Sequence, residues 1–172
     1  MLELEQEQIN TLQNLKNSDI SLVSLNGLKT IGKVVEIYDG DTCKIVLYNH
    51  QQFEKYNCRL LGVDTPEMKP SLTKENRQDE IRNAYKCRNR LLQLVTNCTC
   101  DIDSILSKKE INQLVDKNTK LISIECFEFD KYGRLLVTLF PNDNDELEES
   151  ANQILVNEHF AKPYDGGTKS PF

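Results

Sequence analysis

The chain has 172 residues, 38% of them hydrophobic and 28% charged, with a net charge of −6. That is enough for one domain with a real core, and no apolar run approaches the ~18 residues that cross a bilayer. The acidic start "MLELEQEQIN" has neither the basic region nor the apolar stretch of a signal peptide, so a cytoplasmic or other intracellular location without membrane association is expected. Residues 2–17 are predicted to be helical, with Leu2, Ile9, Leu12 and Leu15 near helical spacing among Glu and Gln. Residues 18–30 read as a connector with an "NG" turn at 26–27. Three strand-like runs follow at 31–38, 42–48 and 53–63, linked by "DG" and "NHQQ" as hairpins. After "DTPE" the chain is polar and irregular to about Arg77, and a helix is predicted over 79–96. Its apolar stripe is Ile81, Ala84, Tyr85, Leu91, Leu92 and Val95, and a second stripe carries Arg82, Lys86 and Arg90.

Residues 97–118 hold a short helix opened by "SKKE", a capping-box pattern. Two strands, 119–129 and 134–140, are joined by "DKYG", where Gly133 suits the left-handed position of a hairpin turn. A last helix, about 146–158, leads to the terminal segment "AKPYDGGTKSPF". Five short strands with a helix after the third outline an α+β protein built on a closed OB-type barrel. The expected organisation is a helical extension and connector (1–30), a barrel domain (31–165, with an insertion at about 97–118) and a tail (166–172). The six cysteines are expected to be reduced thiols, several of them in the core, because "NCTC" has no second pair at zinc-site spacing. His50 and His159 stand alone and suit turns or helix ends.

The stretch "YDGDTCKIVLY", residues 38–48, places two aspartates around one glycine at the mouth of a strand. One Asp is enough for the turn, so Asp41 is in excess. Arg59 shares strand parity with Leu61 and Val63, and a guanidinium on such a face needs an anionic partner. In "VDTPE", Pro66 restricts Thr65 to extended backbone, so Asp64, the Thr65 carbonyl and Glu67 are presented close together. Arg134 begins the strand after "DKYG". Taken as one site, Asp41, Asp64 and Glu67 are hard oxygen ligands for a divalent cation, and Arg59 and Arg134 are planar donors that match phosphate oxygens. The same residues also suit plainer roles as turn aspartates, a capping glutamate and surface arginines. Acidity argues against a general nucleic-acid binder, because phosphate neutralisation supplies most non-specific affinity. Locally, however, residues 69–90 are rich in Lys and Arg.

"YDGDT", "RLLGVDTPE" and "DKYGRLL", in this order and with a helix between the last two, resemble the staphylococcal nuclease (thermonuclease) family from about Gly32 to Tyr164. "ANQILVNEHFAK" resembles that family's second-helix region. The "PYDGGTK" ending and the Asn/Lys/Ile-rich composition resemble members from large DNA viruses. The resemblance implies a Ca2+-dependent endonuclease that hydrolyses DNA and RNA to 3′-phosphates on a five-stranded OB barrel with helices. Carried over by motif, Asp41, Asp64 and the Thr65 carbonyl become calcium ligands. Glu67 becomes the general base or positions the attacking water, and Arg59 and Arg134 become phosphate clamps. Asp39 lies near the metal without being a firm ligand. Tyr132 and Tyr164 become nucleotide contacts, although the terminal tyrosines do not align cleanly. The chain departs from the family at residues 1–30, at about 97–118 and at His159, where a helix-ending Gly is common. The family's third helix is expected to be absent, which leaves the N-terminal helix to fill its place, to bind a protein partner or to self-associate. Arg82, Lys86 and Arg90 either guide the strand or form a solvated helix face. The alternative function is a non-catalytic nucleic-acid- or protein-binding module of the same fold.

Overall fold

The computed structural model describes residues 4–142 and 146–167. In chain order its elements are α1 (Gln6–Asn14), β1 (Lys29–Ile37), β2 (Thr42–Asn49), β3 (Gln52–Leu60), β4 (Val63–Asp64), α2 (Arg77–Val95), α3 (Lys108–Lys117), β5 (Leu121–Phe129), β6 (Leu135–Phe140), α4 (Ala151–Asn157) and β7 (Lys162–Pro163). Five strands close a barrel in the order β1-β2-β3-β6-β5. β3 and β6 run parallel and the other pairs antiparallel, so the barrel is mixed. This α+β architecture is consistent with the OB-type barrel expected. The parallel pair needs a long crossover, and α2, α3 and the segment between them supply it.

Period-two alternation decides which side chains fill the barrel. Cys43, Ile45 and Leu47 of β2, Cys58 and Leu60 of β3, and Leu135, Val137 and Leu139 of β6 are all buried. All six cysteines are free thiols, and only Cys100 is not fully buried. Burial pushes the Cys58 thiol up to about 12 and raises Cys43 and Cys87 as well, so these behave as apolar packing.

The link between β2 and β3 is a two-residue turn with φ 46° at His50 and 64° at Gln51, the double positive φ of a tight hairpin. His159 also takes the left-handed conformation, φ 64°, just past α4, in the place of a helix-ending glycine. Gly133, φ 77°, closes the "DKYG" turn by donating its N–H to the Asp130 carbonyl at 2.9 Å.

Several boundaries differ from expectation. The run 53–63 breaks after Leu60, because the chain turns at Leu61–Gly62 and Val63–Asp64 leaves the barrel to pair with Lys162–Pro163. The last helix is split into a single 3-10 turn, Leu147–Glu149, and α4. Ser150 causes the break: its extended backbone lets its hydroxyl accept from the Gln153 N–H at 3.1 Å while donating to the Leu147 carbonyl at 2.6 Å. α1 is shorter than residues 2–17, and none of its residues is buried. Residues 1–3 of that predicted helix and 168–172 of the predicted tail lie outside the described residues. The expected capping box at Ser107 is present, with Ser107 and Glu110 exchanging bonds at the start of α3. Ile111 and Val115 then bury one face of α3, which packs against β1. The stretch before α3 is stitched to α2: Asn89 donates to the Ile102 and Ser104 carbonyls, and Arg88 to that of Leu106. Among the described residues no helix is long and apolar enough to cross a membrane.

Candidate functional site

A cavity of about 870 Å³ opens at one barrel rim, where β2 begins and β3 ends. Its wall includes Asp39, Asp41, Arg59, Thr65, Glu67 and Arg134. That volume lies within the range of small-ligand sites.

The turn before β2 places the aspartates. Asp39 Oδ1 accepts the N–H groups of Asp41 at 3.1 Å and Thr42 at 2.8 Å, so this carboxylate holds the turn itself. Burial, and next the charge of Asp41, raise the Asp39 pKa from its usual value. Asp-Gly turns ordinarily use the positive φ that glycine accepts, but Gly40 is not among the left-handed residues. A Cβ there would lie 2.3 Å from Cys87 Sγ and 3.1 Å from Thr65 Cγ2. Glycine is required because α2 presses on the turn, a close approach invisible to turn rules. Gly40→Ala is therefore expected to cost about 1–3 kcal/mol through overpacking. Cys87→Ala in the same chain is expected to recover part of that loss in thermal unfolding, and strict additivity of the two changes would contradict the contact.

Asp41 is buried and ion-paired with Arg59 Nη1, and its Oδ1 accepts from the Thr42 hydroxyl at 2.9 Å. Arg59 Nη2 also donates to the Val63 carbonyl at 3.0 Å, and its guanidinium lies 5.7 Å from the Tyr164 ring centre. Burial alone would lower the Arg59 pKa, but the charges of Asp41, Asp64 and Asp39 outweigh it and hold the group more firmly protonated. Asp64 is buried and is not part of the cavity wall. Its position is set by the β4–β7 pairing and by the Tyr164 N–H, which donates to the Gly62 carbonyl at 2.9 Å. Asn152 of α4 donates to the Leu61 and Val137 carbonyls at 2.9 and 3.0 Å, tying this turn to β6.

Across the cavity, Arg134 donates through Nε and Nη2 to Asp130 Oδ2 at 2.8 and 2.7 Å. Burial would raise the Asp130 pKa, but hydrogen bonds from Arg134 and Tyr132 prevail and lower it. Tyr132 lies beneath Arg134, 5.5 Å from ring centre to guanidinium carbon, and both Tyr132 and Tyr164 line the cavity. Glu67 is exposed, and its backbone N–H donates to buried Glu80 Oε1 at 3.3 Å; Glu80 is ion-paired with Lys74. Asp130, Lys69 and Lys131 also line the cavity, and sequence reasoning did not assign them to the site. Only the spacing of Asp130 and Arg134, which a tight turn folds together, could have signalled that pair.

Arg82, Lys86 and Arg90 are not part of the cavity wall. Arg82 pairs with Asp79 at 3.0 Å, Lys86 with Asp103 at 2.6 Å, and Arg90 with both Glu158 oxygens at 2.6 and 2.7 Å. The stripe is thus neutralised by its neighbours.

Asp41 and Asp64 are buried carboxylates, and Asp64 directly precedes Thr65; carboxylate and carbonyl oxygens are the ligands that a hard cation takes. Among the described residues no three His, Cys, Asp or Glu side chains gather at metal-ligand spacing. Carboxylates alone do not complete a shell, so backbone and water oxygens would supply the rest. No protein-family model matches the chain. It is similar to an uncharacterized protein of Methanocaldococcus jannaschii, 30% identical over 142 residues, which cover 77% of this chain and 58% of that protein. The chain therefore spans somewhat over half the length of that relative.

Proposed function

We propose that the chain is a Ca2+-dependent phosphodiesterase, an endonuclease that hydrolyses DNA and RNA and leaves 3′-phosphates. One observation carries this reading: two arginines, an exposed glutamate and the Asp39–Asp41 pair line one cavity although their motifs are far apart in the chain. The resemblance of those motifs to the staphylococcal nuclease family supports the same reading. Asp41, Asp64 and the Thr65 carbonyl would hold the calcium, which when bound polarises a phosphodiester and favours water as nucleophile. Glu67 accepts the proton of the attacking water or orients it. Arg59 exchanges its bond to Asp41 for a phosphate oxygen, and with Arg134 offsets the charge that grows on the non-bridging oxygens. Tyr132 and Tyr164 flank the arginines as nucleotide contacts. α1, which buries nothing, is left for a protein partner or self-association.

A second reading, a binding module without catalysis, is favoured by one fact: Asp41 and Asp130 already engage both arginines. Plasmid DNA separates the two. Nicking with calcium and none with chelator is the expected result, whereas retarded but uncut DNA under both conditions would favour the module. Calcium at roughly 100 times its Kd is expected to stabilise the fold by about 2.7 kcal/mol. Asp41→Asn is expected to shrink the resulting rise in Tm, and an unchanged calcium titration in that variant would remove Asp41 from the site.

A further inference from the structure

We infer that Glu80 is a positioning residue: it fixes Glu67 at the cavity by clipping together both legs of the loop that carries it. The inference rests on the phosphodiesterase reading for what Glu67 does, but not for how Glu67 is held.

The loop runs from the Thr65-Pro66 turn to the start of α2 at Arg77. Among the described residues it contains no helix or strand, and Glu67, Lys69, Leu72 and Glu75 are all exposed. Such a segment has no ladder of backbone bonds to fix it. Pro66, Glu67, Met68 and Lys69 nevertheless line the cavity. A general base has to stand within hydrogen-bond reach of its water, so this loop needs support from outside itself.

The support comes from the first turn of α2, where Glu80 is only 5% exposed. Its Oε1 accepts the Glu67 N–H at 3.3 Å. Its Oε2 is ion-paired with Lys74, on the leg that returns to the helix. Arg77, at the start of the same helix, donates through Nε to the Pro70 carbonyl at 3.3 Å, between the two legs. One carboxylate therefore joins the leg that carries Glu67 to the leg that closes the loop.

The helix itself does not require this burial. An acid on a first turn is favoured by the helix dipole, and Asp79 supplies one in water, exposed and paired with Arg82 at 3.0 Å. Taking a second carboxylate out of water is costly unless it is paired. Both oxygens of Glu80 are directed to the loop. What such a buried pair supplies is one conformation of the loop more than stability.

Steady-state cleavage with calcium tests the role. Glu80→Ala is expected to lower kcat by about 100-fold, the scale of a misplacement of about 1 Å, with KM little changed. Glu80→Gln is expected to restore most of that loss, because the amide oxygen still accepts the Glu67 N–H. Glu80→Asp keeps the charge but is one methylene short, so it is expected to stay slow, and it replaces Glu80→Ala in every comparison if that variant does not fold. The deciding measurement is the cycle with Glu67→Gln. In that background Glu80→Ala is expected to cost little further, because no base is left to place. Damage to the fold at large would cost the same in both backgrounds, and that result overturns the inference. So does a Glu80→Gln variant as slow as Glu80→Ala. Glu80→Ala is also expected to keep the acid-side fall in rate that Glu67→Gln flattens, since its base is displaced and not removed. Hydrogen exchange at the Glu67 amide, read without substrate or calcium, tests the hold itself. Protection is expected in wild type and Glu80→Gln, and its loss in Glu80→Ala. Equal protection in all three overturns the inference whatever the activity. The expected exchange pattern in a protein that does not cut plasmid DNA with calcium sinks the enzyme reading and keeps Glu80 as the residue that places Glu67.

Discussion

Arg59→Lys and Arg134→Lys are each expected to lower turnover by at least ~100-fold, the scale of deleting one transition-state donor. The reason is geometric. Arg59 serves Asp41 with one nitrogen and the Val63 carbonyl with another while lying near the Tyr164 ring. Arg134 turns two nitrogens to Asp130. A lysine keeps the charge but has a single nitrogen, so it cannot hold its internal partner and a phosphate oxygen in one planar fork. Substrate affinity is expected to change much less than turnover, because the fork acts mainly on charge that develops during the reaction. Thermal unfolding of each variant separates this from loss of fold, since Arg59 is largely buried and its replacement also weakens a buried ion pair. Near-normal turnover in both lysine variants would end the clamp assignment.

Glu67→Gln is expected to keep the calcium-dependent rise in Tm and to lose most of the activity. Glu67 lies on the exposed side of a loop whose backbone is anchored by Glu80, which in turn is held by Lys74. The amide keeps the size of the side chain but takes up no proton. A carboxylate acting as base imposes a fall in rate on the acid side, and the amide is expected to flatten that limb. A parallel loss of calcium stabilisation would make Glu67 a ligand instead. Glu80 shows how the loop is placed: a charged residue on the first turn of α2 is buried and spends its oxygens on the loop and on Lys74.

Much of this architecture was legible from local pattern. Period-two alternation marked the five barrel strands, and "SKKE" marked the start of α3. The three charged motifs singled out Asp41, Asp64, Arg59, Thr65, Glu67 and Arg134, and all of these but Asp64 line one cavity. These features are local because each depends on residues a few positions apart: a turn, a cap, the parity of a strand. What the sequence did not convey depends on partners far apart in the chain. Asp64 is positioned by β7, about a hundred residues later, through backbone bonds that carry no side-chain signature. Arg90 meets Glu158 and Lys86 meets Asp103, so a stripe that reads as a cationic surface is neutral in space. Gly40 is glycine because Cys87 crosses it, not because the turn needs a left-handed residue. Thr42 and Arg59 stand side by side at the cavity only once the register of β2 on β3 pairs them. Sequence alone determined which segments are strands, turns and caps, because backbone propensity and periodicity act over a few residues. Tertiary structure alone decided which charges are spent on each other and which are left facing the cavity, because electrostatic pairing acts through space and not along the chain.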